Sequence, residues 1–165
     1  MPQAYNAEII RVYTRDGHNQ NVADMSPNIS GPDYKFDLIV EAESGDKREN
    51  NGAPYTISIS AFNITTGTPA TAISAAFSQT FSENFRTDIV PTPPPGTPDP
   101  VNAANPPEFK WPRYRQKFTI QLTAAEAANA AGNVFQYTVV LRTPPNVGDP
   151  ILSIAQSPLF ILVAE

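Results

Sequence analysis

The sequence predicts an all-β protein: an antiparallel sandwich of about seven to nine strands, with one short helical crossover and a long Pro-rich loop. Ile and Val together number 23 against only 6 Leu, and branching at Cβ favours the pleated sheet over the helix. Several segments alternate apolar and polar residues with a period of two, which gives each strand one buried face. Turn residues separate these segments at the spacing typical of short strands.

The first half of the chain is predicted to contain four strands. An opening strand covers about residues 5–14, the clearest alternation lies at 34–43, and a third strand covers 55–61. A fourth is expected from the apolar residues spaced through 73–77. Ile39 is the one residue that interrupts a polar face, which we otherwise expect to be solvated. The predicted core residues of this half are Phe36, Leu38, Val40, Ile57 and Ile59.

Residues 91–107 are predicted to form a long extended loop. They hold 8 Pro in 17 positions, and Pro has a fixed φ and no amide hydrogen for a sheet ladder. This composition excludes a central strand or a helix and favours a partly polyproline conformation. Because neither flank is expected to fold alone, we place the loop inside one domain that spans residues 1–165.

One helix is predicted, over residues 124–131. Thr123 is a good N-cap, Glu126 three residues later completes a capping box, and Gly132 provides a C-terminal stop. Alternation on both sides predicts further strands at 115–123, 135–141, 151–155 and 159–163. The predicted core residues of this half are Phe118, Ile120, Tyr137, Val139 and Leu141.

The stretch from Leu122 to Tyr137, which contains this helix, resembles the helical corner between the fifth and sixth strands of immunoglobulin-like domains. The segment Gln156–Ile161 resembles the last strand of many such modules. The chain departs from the usual pattern because it has no Cys pair, and because Trp111 does not lie on an early core strand. The resemblance implies an immunoglobulin-like sandwich and no particular activity.

Composition disfavours several classes of partner and site. The net charge of −5 argues against a broad phosphate-binding face, so no nucleic acid is expected. The absence of Cys removes disulfides, thiolate catalysis and zinc–thiolate sites. No apolar run approaches the roughly 18 residues of a spanning helix, so no membrane insertion is expected. The charged fraction of 16% is commoner outside the cytosol or on particle surfaces, and the first residues lack a signal-peptide pattern.

Side chains with catalytic or metal-binding chemistry are few. His18 is the only imidazole and lies beside a turn, without a nucleophile elbow elsewhere. Asp37 and Glu41 share a strand face, as an acid/base pair would require. The carboxylates of residues 43–50 are compatible with calcium, although Lys47 and Arg48 lie among them. We prefer a solvated strand face and loop, and we therefore expect no enzyme, no catalytic residue, no cofactor and no metal, with calcium at 43–50 left open.

The most unusual segment is 110–117, which holds four of the 11 cations and the only Trp. Interleaved aromatic and basic side chains can stack on sugars or bases and contact carboxylates. The alternative is that the Trp closes one end of the sandwich while the cations stay in water. The candidate partner-binding residues are Trp111, Arg113, Tyr114 and Arg115.

These observations predict a non-enzymatic immunoglobulin-like interaction or structural module. Its partner, a protein or a glycan, is not specified by the sequence, and a homo-oligomer is left open. The alternative function is a carbohydrate-binding module in which Trp111 and Tyr114 form stacking platforms near the Pro-rich loop.

Overall fold

The computed structural model describes residues 7–16, 23–44, 54–80, 113–143 and 151–164, and gives the backbone alone for 43–44, 54, 75–80 and 113–116. In chain order the strands are β1 (Ala7–Asp16), β2 (Lys35–Ser44), β3 (Pro54–Asn63), β4 (Thr68–Pro69), β5 (Ala75–Thr80), β6 (Arg113–Gln121), β7 (Val134–Arg142), β8 (Leu152–Gln156) and β9 (Phe160–Ile161). A 3₁₀ turn covers Thr71–Ile73, and helix α1 covers Ala124–Ala130. The predicted Pro-rich loop at 91–107 lies outside the described residues.

The strands form two antiparallel sheets. The small sheet has the order β1-β2-β6. In the large sheet β3 and β7 are central, with β4 and β5 along one side of β3, and with β8 and β9 along the other side of β7. This architecture confirms the predicted all-β antiparallel sandwich. The single domain over 1–165 stays a prediction.

The core lies between the sheets and contains all ten of the residues predicted for it. Each of them is buried, because alternate residues of a strand point to the same face and both inner faces are covered. Phe36 of the small sheet contacts Tyr137 and Phe160 of the large one, with ring centroids 6.5 and 5.9 Å away. The predicted core residues, now observed as core, are Phe36, Leu38, Val40, Ile57, Ile59, Phe118, Ile120, Tyr137, Val139 and Leu141.

Helix α1 begins at the predicted capping box. The Thr123 Oγ1 atom accepts from the Glu126 N–H at 3.2 Å, while Glu126 Oε2 accepts from the Thr123 N–H at 2.8 Å. Gly132 follows the helix with φ of +79°, a conformation that favours glycine. The helix carries the chain from β6 in the small sheet to β7 in the large one, as predicted.

The predicted start of the fourth strand, at Ile73, is wrong. Ile73 ends the 3₁₀ turn, since its N–H donates to the Ala70 carbonyl at 3.3 Å, and strand β5 starts only at Ala75. The Ile73 side chain is nevertheless buried in the core. The period-two spacing of apolar residues therefore predicted correctly that the Ile73 side chain is buried. It did not predict that the backbone at Ile73 forms a turn and does not pair with a strand.

A matched pair of leucines tests the assignment of the core. Leu141→Ala should lower the free energy of unfolding by about 2–5 kcal/mol, because it leaves a cavity among buried side chains. Leu152→Ala, the same substitution at an exposed position of the same sheet, should change it by less than about 0.5 kcal/mol. Both are measured by chemical denaturation at low protein concentration. Equal losses for the two variants would show that the faces are assigned wrongly.

The capping box makes a second prediction. Thr123→Ala should destabilise the protein by about 1 kcal/mol, because a helix N–H loses its acceptor.

Hydrogen bonds from the Thr123 N–H and hydroxyl lower the pKa of Glu126 below its ordinary 4.5. A lowered folded pKa stabilises the fold above the unfolded pKa, and this contribution is lost as the pH falls through the folded value. NMR titration should show a higher Glu126 pKa in the variant; an unchanged pKa would contradict the box.

Candidate functional site

Charged residues are segregated between the two sheets. Strands β1, β2 and β6 carry 11 charged residues among their 29, whereas the six strands of the large sheet carry one, Arg142, among 34. The two outer faces therefore present different chemistry. We call them the charged face (outer face of β1, β2 and β6) and the uncharged face (outer face of the large sheet).

Asp37 is held at the centre of the charged face by both neighbouring strands. Arg15 Nη2 on β1 donates to Asp37 Oδ2 at 3.0 Å, and Thr119 Oγ1 on β6 donates to Oδ1 at 2.9 Å. The strand register places these three residues in one row across the sheet. Both members of the ion pair are buried. Such a pair fixes the register of the sheet, because separating the two charges would leave each one desolvated.

The neighbouring rows continue this pattern. The Tyr13 hydroxyl donates to Glu41 Oε1 at 3.1 Å, and the Arg11 guanidinium lies over the Tyr13 ring at 4.2 Å from its centroid. Ile39, between the two carboxylates on β2, is completely buried. The expectation of a solvated face is therefore wrong at the centre of this sheet, and the interruption of the polar pattern at Ile39 was the sequence signal for it.

The predicted acid/base pair is likewise not supported by this geometry. Both oxygens of Asp37 are occupied by Arg15 and Thr119, so the carboxylate is not presented to a substrate. Within the described ranges no cluster of three or more His, Asp or Glu side chains has the arrangement of a metal site. His18 and most of the 43–50 loop lie outside those ranges.

Three of the four predicted binding residues lie at the start of β6. In the backbone register Arg113 is opposite Glu43, Tyr114 opposite Ala42, and Arg115 opposite Glu41. In this register both arginines are thus paired with acidic residues of β2, whereas Tyr114 is paired with a core position. Trp111 lies outside the described residues, so a binding role for this segment stays a prediction.

The uncharged face is open to solvent and contains exposed apolar side chains that the sequence analysis did not single out. Leu152 and Ile154 on β8 are 67% and 60% exposed. In the register they lie beside Arg142 and Val140 of β7. The other described residues of this face on β3 and β7 are uncharged: Thr56, Ser58, Ser60, Phe62, Gln136 and Thr138.

The sequence signal for the uncharged face is the lack of charged residues in several of its strands. Segments 54–63, 75–80 and 152–156 contain no charged residue. The composition shows the low overall charge, but the uneven distribution of charge becomes meaningful only when these segments are placed in one sheet.

Comparison with known proteins yields a weak structural likeness. No family model matches the chain, and no curated protein matches its sequence. Among solved structures, the crystal structure of red sea bream transglutaminase is similar with a TM-score of 0.43 and 12% identity. The likeness covers 96% of this chain and 17% of the transglutaminase chain, so this chain spans about a sixth of that protein's length.

This neighbour contradicts the prediction that the chain is not an enzyme, because the similar solved protein is itself an enzyme. That prediction is withdrawn. Its basis was that the sequence shows no recognisable set of catalytic groups, and such an absence is only a negative argument. A likeness at this TM-score carries no activity over to the present chain.

No helix in the described part of the chain is long and apolar enough to cross a membrane. The helix α1 has seven residues, far fewer than the roughly 20 that a bilayer requires.

The Arg15–Asp37 pair makes a prediction about stability. Asp37→Ala should lower the free energy of unfolding by about 3–5 kcal/mol, because the Arg15 guanidinium stays buried without that carboxylate. The double variant Arg15→Met with Asp37→Leu should recover most of the loss.

The matched control is Asp33→Ala, which removes the carboxylate that lies 3.1 Å from Lys35 Nζ in a partly exposed pair. This change should cost less than about 1 kcal/mol, since water screens the pair. Urea denaturation of all the variants provides the measurement. A loss at Asp37 no larger than the loss at Asp33 would mean that the buried pair has no structural role.

Proposed function

We propose that this chain is an immunoglobulin-like interaction or structural module that associates with a second copy of itself through the uncharged face. The observation that carries the proposal is the exposure of Leu152 and Ile154 on a sheet with a single charged residue. Exposed apolar side chains on an uncharged surface favour association because contact removes them from water.

The order of the strands supports the immunoglobulin-like assignment. In immunoglobulin-like sandwiches the first two strands pair with the fifth in one sheet, and the third, sixth and seventh form the other. Here β1, β2 and β6 form one sheet, while β3, β7 and β8 lie side by side in the other. A helical connection joins β6 to β7, at the corner that the sequence resemblance indicated.

The charge distribution favours a second copy on this face. Two chains of net charge −5 repel each other at most orientations. Contact through the uncharged face brings together only Arg142 among the described strand residues of each large sheet. A two-fold contact places the same patch on itself, so apolar Leu152 and Ile154 meet apolar side chains.

The area of the face is sufficient for such a contact. The strands of the large sheet hold 34 residues, which at 3.3 Å per residue and 4.8 Å between strands give a surface of about 540 Å² per copy. A specific interface requires about 1,000 Å² in total, or roughly 500 Å² from each partner. The face therefore meets the lower limit of a specific dimer.

Analytical ultracentrifugation over a concentration series tests the proposal. Ile154→Glu should weaken the dimer by at least about tenfold, because the contact then buries two carboxylates opposite each other. Met25→Glu is the matched control, since Met25 is similarly exposed at 64% but belongs to none of the strands of the large sheet. Added salt should strengthen the wild-type dimer, since it screens the net repulsion.

Two results would refute self-association through this face. The first is a wild-type chain that stays monomeric up to about 1 mM, the weakest affinity usually counted as binding. The second is a dimer that Ile154→Glu and Met25→Glu weaken equally. The alternative of a carbohydrate-binding module depends on Trp111 and stays a prediction of the sequence.

A further inference from the structure

A groove runs along the side of β1 that faces away from β2. Among the described strands, β2 is the one neighbour of β1, so β1 lies at the edge of the small sheet as described. The groove has a volume of about 410 Å³ and lies between β1 residues 10–14, residues 23–25, and the end of β8 with its following connection, at Gln156 and Pro158. It meets the large sheet at Gln156, whereas Leu152 and Ile154 of the uncharged face do not line it.

Two hydrogen bonds mark the ends of this groove. At one end the Ile9 N–H donates to Ser153 Oγ at 2.9 Å. At the other end the Thr14 carbonyl accepts from the Asp24 N–H at 2.9 Å. Both bonds leave β1 on the side that faces away from β2.

Val12 directs its backbone groups to the same side. Ile10 is the extra residue of a bulge, so Ile9, Val12 and Thr14 pair with alternate residues of β2. Alternate residues of an antiparallel edge strand direct their N–H and C=O groups outward. Since the Thr14 carbonyl points outward, the N–H and C=O of Val12 point into the groove. No hydrogen bond from the described residues reaches these two groups on that side.

The burial of Val12 indicates that its outward N–H and C=O groups need hydrogen-bond partners. Val12 is only 3% exposed, and buried backbone donors and acceptors are almost always bonded. A ligand that offers both a donor and an acceptor in the plane of the sheet is another extended backbone.

We propose that the β1 groove binds an extended peptide segment of a partner protein by strand addition. The partner's backbone bonds to Val12, and its alternate side chains contact Ile10 and Met25, which are apolar and exposed at 43% and 64%. Asp24 is already occupied by the N–H and hydroxyl of Ser26. The remaining charged residue of the lining is Arg11, so the segment that fits is apolar at alternate positions and acidic at the Arg11 end.

The probe is an acetylated and amidated heptapeptide of alternating valine and threonine with one glutamate near its end. NMR titration of the full chain should shift the amide resonances of residues 10–14 and 23–25. Amide exchange at Val12 should be faster than at Tyr13, whose groups face β2, and the peptide should slow it. The same peptide with N-methylated backbone amides on one edge should bind at least about tenfold more weakly, because it has lost the donors that strand addition uses.

A matched pair of variants localises the site. Ile10→Glu should weaken peptide binding by at least about tenfold, since it places a carboxylate on the apolar wall of the groove. Ile64→Glu should leave binding unchanged, because Ile64 is equally exposed at 44% but does not line the groove. The proposal is overturned by any of three results: no resonance shift at about 1 mM peptide, equal binding of the N-methylated peptide, or equal effects of the two variants.

Discussion

The contact of Phe36 with Tyr137 and Phe160 holds the two sheets together, and much of the large sheet is arranged around it. The rings of Tyr137 and Phe160 are stacked with centroids 5.5 Å apart. Burial raises the pKa of Tyr137 far above its ordinary value, so its hydroxyl remains a donor and needs an acceptor inside the core. The Ile73 carbonyl accepts this bond at 2.8 Å. The 3₁₀ turn before β5 is therefore fixed by the same side chain that joins the sheets.

The segregation of charge follows from how the two outer faces are covered. The charged face is closed to solvent at Ile39, so its central charges need partners within the sheet, and Arg15, Asp37 and Thr119 provide them. The uncharged face has no such requirement, because its polar residues are hydroxyl and amide groups that water can bond. Mutual neutralisation therefore occupies the central charged residues of the small sheet, Arg15 and Asp37.

Sequence patterns predicted those elements whose signals are local. Period-two alternation identified the core of both sheets, and the Thr123–Glu126 spacing identified the start of the helix. The prediction was wrong where the deciding contact joins distant segments. Asp37 was expected to be solvated, because its alternation with Phe36 and Leu38 gives no indication that Arg15 will lie beside it. The uncharged face was missed for the same reason. Ile154 belongs to an uncharged surface only because strands distant in sequence lie beside it in the large sheet.

The bulge at Ile10 connects the two proposed modes of association. Edge strands invite pairing with other chains, and proteins limit this by covering or distorting their edges. The start of β1 contacts β8, where the Ile9 N–H donates to the Ser153 hydroxyl, so association at β8 is expected to use the face that carries Ile154. Beyond Ile9 the extra residue shifts the phase of β1 and turns Val12 toward the groove. The inserted residue thus leaves the Val12 backbone groups directed into the groove, while Leu152 and Ile154, which do not line the groove, belong to the other proposed contact surface.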